Sequence, residues 1–119
     1  MNNKKHLMLP ILATIVIIIG SGLSAARAKE LLPVDLFSQD KLIHFGSYFV
    51  LTLLWTYGLH KTNSNYVIRK SLIITIVVGF LMEVCQYLFF VGRQFEFLDI
   101  IANISGSLIG ALVFIKIIK

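Results

Sequence analysis

The segment "LDIIANISGSLIGALVFIKII", residues 98–118, contains only two charged residues, Asp99 at its start and Lys116 near its end. A helix needs about 20 predominantly apolar residues to cross the hydrocarbon core of a bilayer, with a range of about 17–25. The length and composition of this segment therefore predict a membrane-spanning helix.

The composition of the whole chain agrees with a membrane protein. Its 119 residues are 57% hydrophobic and only 14% charged, whereas soluble domains carry about 25% charged residues. A small soluble domain buries the lowest fraction of its surface and could not hide so many apolar side chains. These numbers exclude an ordinary soluble domain, and the length predicts a single membrane domain over residues 1–119.

Three further stretches are nearly free of charge. Residues 7–23 contain none, the stretch 42–59 contains His44 near its start, and the stretch 71–91 contains Glu83. We therefore predict an all-α polytopic membrane protein, a bundle of four transmembrane helices at about residues 7–23, 42–59, 71–91 and 98–118.

The first stretch also has features of a secretory signal. Lys4 and Lys5 precede its apolar run, and the run is followed by the A-x-A-like sequence Ala26-Arg27-Ala28. The run is longer than the apolar core of a usual signal peptide, which favours a retained helix.

The net charge of +5 is not concentrated on one face or arm, so we expect no nucleic-acid partner. The basic residues lie in the short connections, where the positive-inside rule applies. With an internal N-terminus, the inner side receives Lys4, Lys5, Lys61, Arg69, Lys70, Lys116 and Lys119. The outer side receives Arg27, Lys29, Lys41 and Arg93. This bias predicts a multi-pass protein of the cell (inner) membrane with both termini in the cytoplasm.

Polar side chains gather in one half of the predicted bundle. His44 lies near the start of the second helix, Glu83 and Gln86 near the end of the third, and Asp99 and Asn103 near the start of the fourth. A charged side chain at the centre of a bilayer costs about 2.5–3.5 kcal/mol, so such residues face partners or water. We predict a polar site that opens outward, above inner halves that are almost purely apolar. A channel or transporter is therefore a poor fit for a single copy.

Three motifs carry a resemblance to a known family. They are "DKLIHFGSYFVL" (40–51), "EVCQYL" (83–88) and "GRQFEFLDIIANISGSLIG" (92–110). In order and spacing this region, about residues 40–110, resembles the VanZ-like family of small integral membrane proteins. The motif positions are filled by Asp40, Lys41, His44, Phe45, Glu83, Gln86, Gly92, Arg93, Asp99, Ala102, Asn103 and Gly106. The resemblance implies a membrane protein of the cell envelope, and the family's namesake is linked to reduced susceptibility to the glycopeptide antibiotic teicoplanin.

The chemistry of these side chains suggests a ligand class. Lys41 and Arg93 at headgroup level suit a phosphate or pyrophosphate, Arg93 through its bidentate fork. We therefore expect an outward-facing pocket that binds an anionic membrane lipid or a lipid-linked envelope precursor. The candidate binding residues are Asp40, Lys41, His44, Glu83, Gln86, Arg93, Asp99 and Asn103.

Two alternatives remain open. In the first, the protein is a membrane enzyme that modifies an envelope lipid or glycan precursor, with His44 and Glu83 as the acid/base pair. No nucleophile motif accompanies that pair. In the second, the polar residues only hold helices together, as interhelical hydrogen bonds do. The G-x-x-x-G pair Gly106 and Gly110 fits internal packing better than dimerisation, although it also offers a surface for a homo-oligomer.

The sequence gives no sign of a cofactor or a bound metal. There is no phosphate-binding loop and no dinucleotide fingerprint. The His and Cys residues of the predicted spans lie at unrelated depths, which does not suit zinc. We expect neither a cofactor nor a metal site.

Overall fold

The computed structural model describes residues 3–27, 36–63, 65–89 and 97–118. These residues form a 3₁₀ helix, Asn3–Leu7, and four α-helices. The α-helices are α1 (Met8–Arg27), α2 (Leu36–Lys61), α3 (Val67–Phe89) and α4 (Phe97–Ile118). No strand occurs in the described part of the chain, so the predicted all-α class is confirmed.

Three of the helices are long and apolar enough to cross a membrane. The candidate spans are Leu42–Lys61 in α2, Val67–Leu88 in α3 and Phe97–Ile117 in α4. The apolar part of the first helix, Lys5–Gly20, is shorter. A fourth span formed by α1 therefore stays a prediction.

Helix α2 begins at Leu36, several residues before the predicted start at 42. The sequence "LFSQDK" between these points contains no proline or glycine, so nothing in it interrupts a helix that starts after Pro33. As a result, Asp40 and Lys41 lie within α2. The structure describes their backbone, and their side chains lie outside what it describes.

Helix α2 makes its most extensive contacts with α4, and two glycines of α4 allow the close approach. Gly106 lies directly against the carbonyl of Phe45. A Cβ atom at Gly110 would be 2.8 Å from the carbonyl oxygen of Phe49. Both glycines thus serve packing inside one chain, as such pairs commonly do. A homo-oligomer stays a prediction, since α2 already covers this face.

The bundle carries its apolar side chains outside and many polar ones inside. Large exposed apolar residues include Val16, Ile73 and Leu108, while Thr52 and Thr75 are fully buried. This arrangement suits a protein whose outer surface is solvated by lipid, because lipid tails leave no reason to bury apolar groups.

Candidate functional site

Antiparallel helices bring the predicted site residues to one end of the bundle. His44 lies in the N-terminal half of α2, Glu83 and Gln86 near the C-terminus of α3, and Asp99 in the first turn of α4. A carboxylate in the first turn is favoured by the helix macrodipole. We call this end of the bundle the His44 end.

His44 is held by two side chains of α4. Its Nδ1 atom lies 3.0 Å from Oδ1 of Asn103, and its Nε2 atom lies 3.6 Å from Oδ2 of Asp99. An amide oxygen only accepts hydrogen bonds, so Nδ1 of His44 carries a hydrogen and donates it. Nε2 therefore faces the carboxyl group of Asp99 at a distance longer than a hydrogen bond.

The two members of this pair differ in exposure. The side chain of Asp99 is 0% exposed and that of His44 is 14% exposed. The imidazole thus reaches the surface of the protein, while the carboxyl group behind it is shielded. A ligand arriving at this end can touch the ring, whose orientation Asn103 and Asp99 have already fixed.

Asn103 in turn is fixed by α3. A Cβ atom at Gly79 would lie 2.9 Å from Nδ2 of Asn103, closer than real Cβ atoms come to other heavy atoms. Only glycine leaves room for the amide here. Asn103 therefore packs between α2 and α3 and links the His44 ring to the wall of the bundle.

A second acidic residue is buried at the same end of the bundle. Glu83 is 1% exposed and Gln86 is 3% exposed. The buried phenol of Tyr48 lies close enough to Glu83 for the two groups to interact electrostatically. Burying a carboxyl group in a membrane is expensive, and residues of this kind mark functional sites by default. The end of the bundle thus combines two buried acids and a partly exposed histidine.

The structure tests the predicted arrangement only in part. It brings His44, Asp99 and Asn103 into direct contact and buries Glu83 and Gln86 at the same end. Arg93 lies in residues 90–96, outside the described residues. The sequence pairs His44 with Glu83, whereas the structure places Asp99 against the His44 ring. Helix depth predicts that His44 and Asp99 lie at the same level, but the rotation of α4 about its axis decides whether they touch.

One expectation about the opposite half of the bundle is wrong. The inner halves and the middle of the bundle contain buried hydroxyl side chains and are therefore not almost purely apolar. These fully buried residues are Thr52, Thr56, Ser71, Thr75 and Ser107. A search for charged residues does not find hydroxyl side chains, because they are neutral. They also fit easily into apolar helices, because the hydroxyl can bond to the carbonyl four residues earlier. Thr56 does so, donating to the carbonyl oxygen of Thr52 at 2.8 Å.

The described side chains of this site do not form a metal centre. Across the described residues, no group of three or more His, Cys, Asp or Glu side chains is arranged to hold a metal ion. The chemistry available is hydrogen bonding, charge and proton transfer by His44 and the two carboxyl groups.

Apolar spans around a polar interior define the class: a small multi-helix membrane protein with a buried titratable cluster. The model of the VanZ/LLP1 family matches residues 3–119, and the chain belongs to that family. No curated protein and no solved structure matches the chain. The match covers α1 as well as the motifs in α2, α3 and α4.

Proposed function

We propose that this VanZ-like envelope protein binds a polar or anionic headgroup, from a membrane lipid or a lipid-linked envelope precursor, at its His44 end. The main support for this proposal is the His44 ring, whose side chain is 14% exposed. Its Nδ1 atom lies 3.0 Å from Oδ1 of Asn103 and its Nε2 atom 3.6 Å from Oδ2 of Asp99, so its orientation is fixed. Pre-fixed polar groups bind with less loss of conformational freedom, so this ring is a ready contact for a ligand.

Chain connectivity supports an anionic ligand. Lys41 precedes His44 by three residues on α2. Arg93 belongs to the connection between the end of α3 and the start of α4, the helix ends that carry Gln86 and Asp99. Two permanent cations therefore belong to the chain segments at this end. An arginine grips a phosphate through two parallel hydrogen bonds and a lysine acts as a point charge.

The two buried acids lie behind this contact surface. Asp99 is 0% exposed and faces the imidazole ring at 3.6 Å, and Glu83 is 1% exposed. In this proposal Asp99 orients the ring from inside the bundle, and the headgroup itself meets His44, Lys41 and Arg93. Binding would take place in the outer leaflet if the chain sits in the inner membrane with both termini in the cytoplasm.

A second candidate function is an enzyme that modifies the same class of ligand. The contact between His44 and Asp99 favours it, because an imidazole oriented by an acid and an amide is a common general acid or base. In this alternative His44 exchanges a proton with the headgroup, assisted by Asp99 or by Glu83. Turnover of a bound precursor by the purified protein, lost in His44→Asn with binding retained, would favour the enzyme over the binding protein.

Glycopeptide susceptibility connects to this proposal through the ligand. The link of the family's namesake to teicoplanin would apply here only if the ligand is a lipid-linked cell-wall precursor, whose retention would change how much of it is accessible. Binding of a bulk anionic lipid would carry no such consequence.

Native mass spectrometry of the detergent-purified protein tests the binding proposal. We expect the wild type to retain an anionic lipid or precursor, and Arg93→Gln and His44→Asn to lose most of it. Thr75→Val is the control, because Thr75 is a fully buried polar residue of the same bundle that lies outside the cluster. It should keep the bound lipid.

Two outcomes contradict the proposal. In one, the folded Arg93→Gln and His44→Asn proteins retain the same lipids as the wild type. In the other, Thr75→Val loses the lipid to the same degree, which would show that general stability and not the cluster governs retention.

A further inference from the structure

Helix α2 carries a polar side chain at every fourth position along most of its length. These residues are His44, Tyr48, Thr52, Thr56 and His60. Residues four apart are neighbours on a helix surface, and each such step turns the row about 40° around the axis. At about 1.5 Å per residue the row rises about 24 Å, which approaches the thickness of the hydrocarbon core, about 30 Å. Both ends of the row carry a histidine.

The neighbouring helices continue this pattern. On α3 the same spacing selects Ser71, Thr75, Gly79 and Glu83. On α4 it selects Asp99, Asn103 and Ser107. All of these residues are buried except His44 and His60. The three rows of residues therefore line the interior of the bundle. We call the combined set of residues the polar axis.

Two of the helices are joined along the axis by hydroxyl groups. Thr52 Oγ1 donates to Thr75 Oγ1 at 3.1 Å, and Thr75 Oγ1 donates to the carbonyl oxygen of Ser71 at 3.0 Å. Each threonine hydroxyl has one hydrogen to give and two lone pairs to accept. The two threonines thus form a short directional chain between α2 and α3, below the acidic cluster.

Two more hydroxyls on the axis require partners of another kind. The Oγ atoms of Ser71 and Ser107 are buried and have no hydrogen-bond partner among the described residues. Buried polar groups are nearly always hydrogen-bonded to protein or to ordered water. We assign internal water to these two hydroxyls, of which one belongs to α3 and the other to α4.

We propose that the polar axis is a proton path through the bundle, connecting Glu83 and the His44–Asp99 pair with the opposite end at His60. In each step a hydroxyl or water accepts a proton on a lone pair and releases its own to the next group. The Thr75 hydroxyl must first turn its hydrogen away from the carbonyl oxygen of Ser71, which has no proton to release. The chain then reorients, so one proton enters at one end for each that leaves at the other. No group is oxidised or reduced, and the driving force is a membrane potential or a pH gradient.

The packing restricts such a path to protons. At Gly79 the side chain of Asn103 fills the space where a Cβ would be, and at Gly106 the backbone of Phe45 does the same. A hydrated cation needs far more room than these contacts leave. A proton passes along hydrogen bonds and needs no open channel.

The first test measures proton flux into proteoliposomes that enclose a pH-sensitive dye. A potassium gradient with valinomycin supplies the potential. We expect the full-length wild type to admit protons faster than protein-free vesicles, and Thr75→Val to reduce this excess about tenfold or more, equivalent to at least about 1.4 kcal/mol on the barrier. Valine preserves the shape of threonine but removes the hydroxyl.

Two further variants separate the path from general stability. Thr75→Ser restores a hydroxyl and should restore much of the flux. Thr14→Val makes the same substitution at a hydroxyl that contacts Trp55, away from the axis, and should leave the flux unchanged. A wild type no faster than empty vesicles would overturn the proposal, as would full flux through a folded Thr75→Val protein.

The two proposals, the proton path and headgroup binding, can be disproved independently of each other. Thr75→Val is expected to lose flux and keep the bound lipid. If the axis only holds helices together, the variant melts at a lower temperature, and the wild type shows no flux above that of empty vesicles.

Discussion

Gly106 shows at the scale of one residue how tightly this bundle is packed. The missing side chain lets α4 touch the backbone of α2 at Phe45, next to the turn that carries His44. The same contact holds α4 in the rotation that presents Asp99 and Asn103 to the imidazole. Packing at a glycine and geometry at the site are therefore linked through α4.

Replacing Gly106 by alanine should destabilise the protein by about 1–3 kcal/mol, the usual effect of overpacking. The added Cβ would collide with the carbonyl of Phe45 and push α4 away from α2. Thermal unfolding in detergent measures the effect.

Gly46→Ala is the matched control. A Cβ at Gly46 meets nothing within 4 Å, so this substitution should leave the melting temperature unchanged or raise it, since alanine favours helix over glycine. Equal melting temperatures for Gly106→Ala and wild type would show that the two helices are not held together at this contact.

The residues of the site were predictable to different degrees. Charges inside an apolar chain identified His44, Glu83 and Asp99, because burying them in lipid is unfavourable without a purpose. The pairing of His44 with Asp99 depends on helix rotation, which the spacing along one helix cannot supply. Thr52 and Thr75 were missed because a hydroxyl that bonds within its own helix barely changes the hydropathy of an apolar run.

At the scale of helices, α1 is attached to α2 by a small polar contact. Trp55 Nε1 donates to Thr14 Oγ1 at 3.0 Å, and Thr14 Oγ1 donates to the carbonyl oxygen of Pro10 at 2.8 Å. Near the start of the chain, the carbonyl of His6 lies against Gly58. The hydroxyl of Thr14 thus accepts from one helix and donates within its own.

A double-mutant cycle on Trp55→Phe and Thr14→Val should give an interaction energy of about 0.6–2 kcal/mol, the range for hydrogen bonds between helices in membranes. Each single variant removes the same bond, so the double variant should be little worse than either. Melting in detergent gives the values. Fully additive losses would mean that the two side chains stabilise the protein independently and that their hydrogen bond contributes nothing.

The helices themselves followed from apolar length, and their ends followed less well. The stretches near residues 42–59, 71–91 and 98–118 correspond to α2, α3 and α4. The start of α2 differed because residues 36–41 are helical in backbone but mixed in polarity. A hydropathy pattern locates the part of a helix that suits lipid, whereas the helix continues until its backbone is interrupted.

At the scale of the whole molecule, the charges differ between the two ends. Among the side chains that the structure describes, the exposed cations gather at the end opposite to His44, at Lys5, Lys61, Arg69, Lys70 and Lys116. Two of them lie over aromatic rings: Lys61 Nζ is 5.5 Å from the centre of the Tyr57 ring, and the Arg69 guanidinium is 5.1 Å from that of Tyr66. Aromatic rings with basic neighbours are typical of a membrane interface.

This charge bias predicts that the basic end lies in the cytoplasm and the His44 end outside. We expect green fluorescent protein to fluoresce when fused to either terminus, because four spans return the chain to the side where it began. In a Cys85→Ser background, Phe97→Cys should react with a membrane-impermeant maleimide in intact cells, whereas Asn65→Cys in the connection after α2 should be protected. Labelling at Asn65→Cys and protection at Phe97→Cys would invert the orientation and move the proposed headgroup site to the inner leaflet. Fluorescence from the C-terminal fusion alone would instead show that α1 does not complete a fourth span with its N-terminus inside.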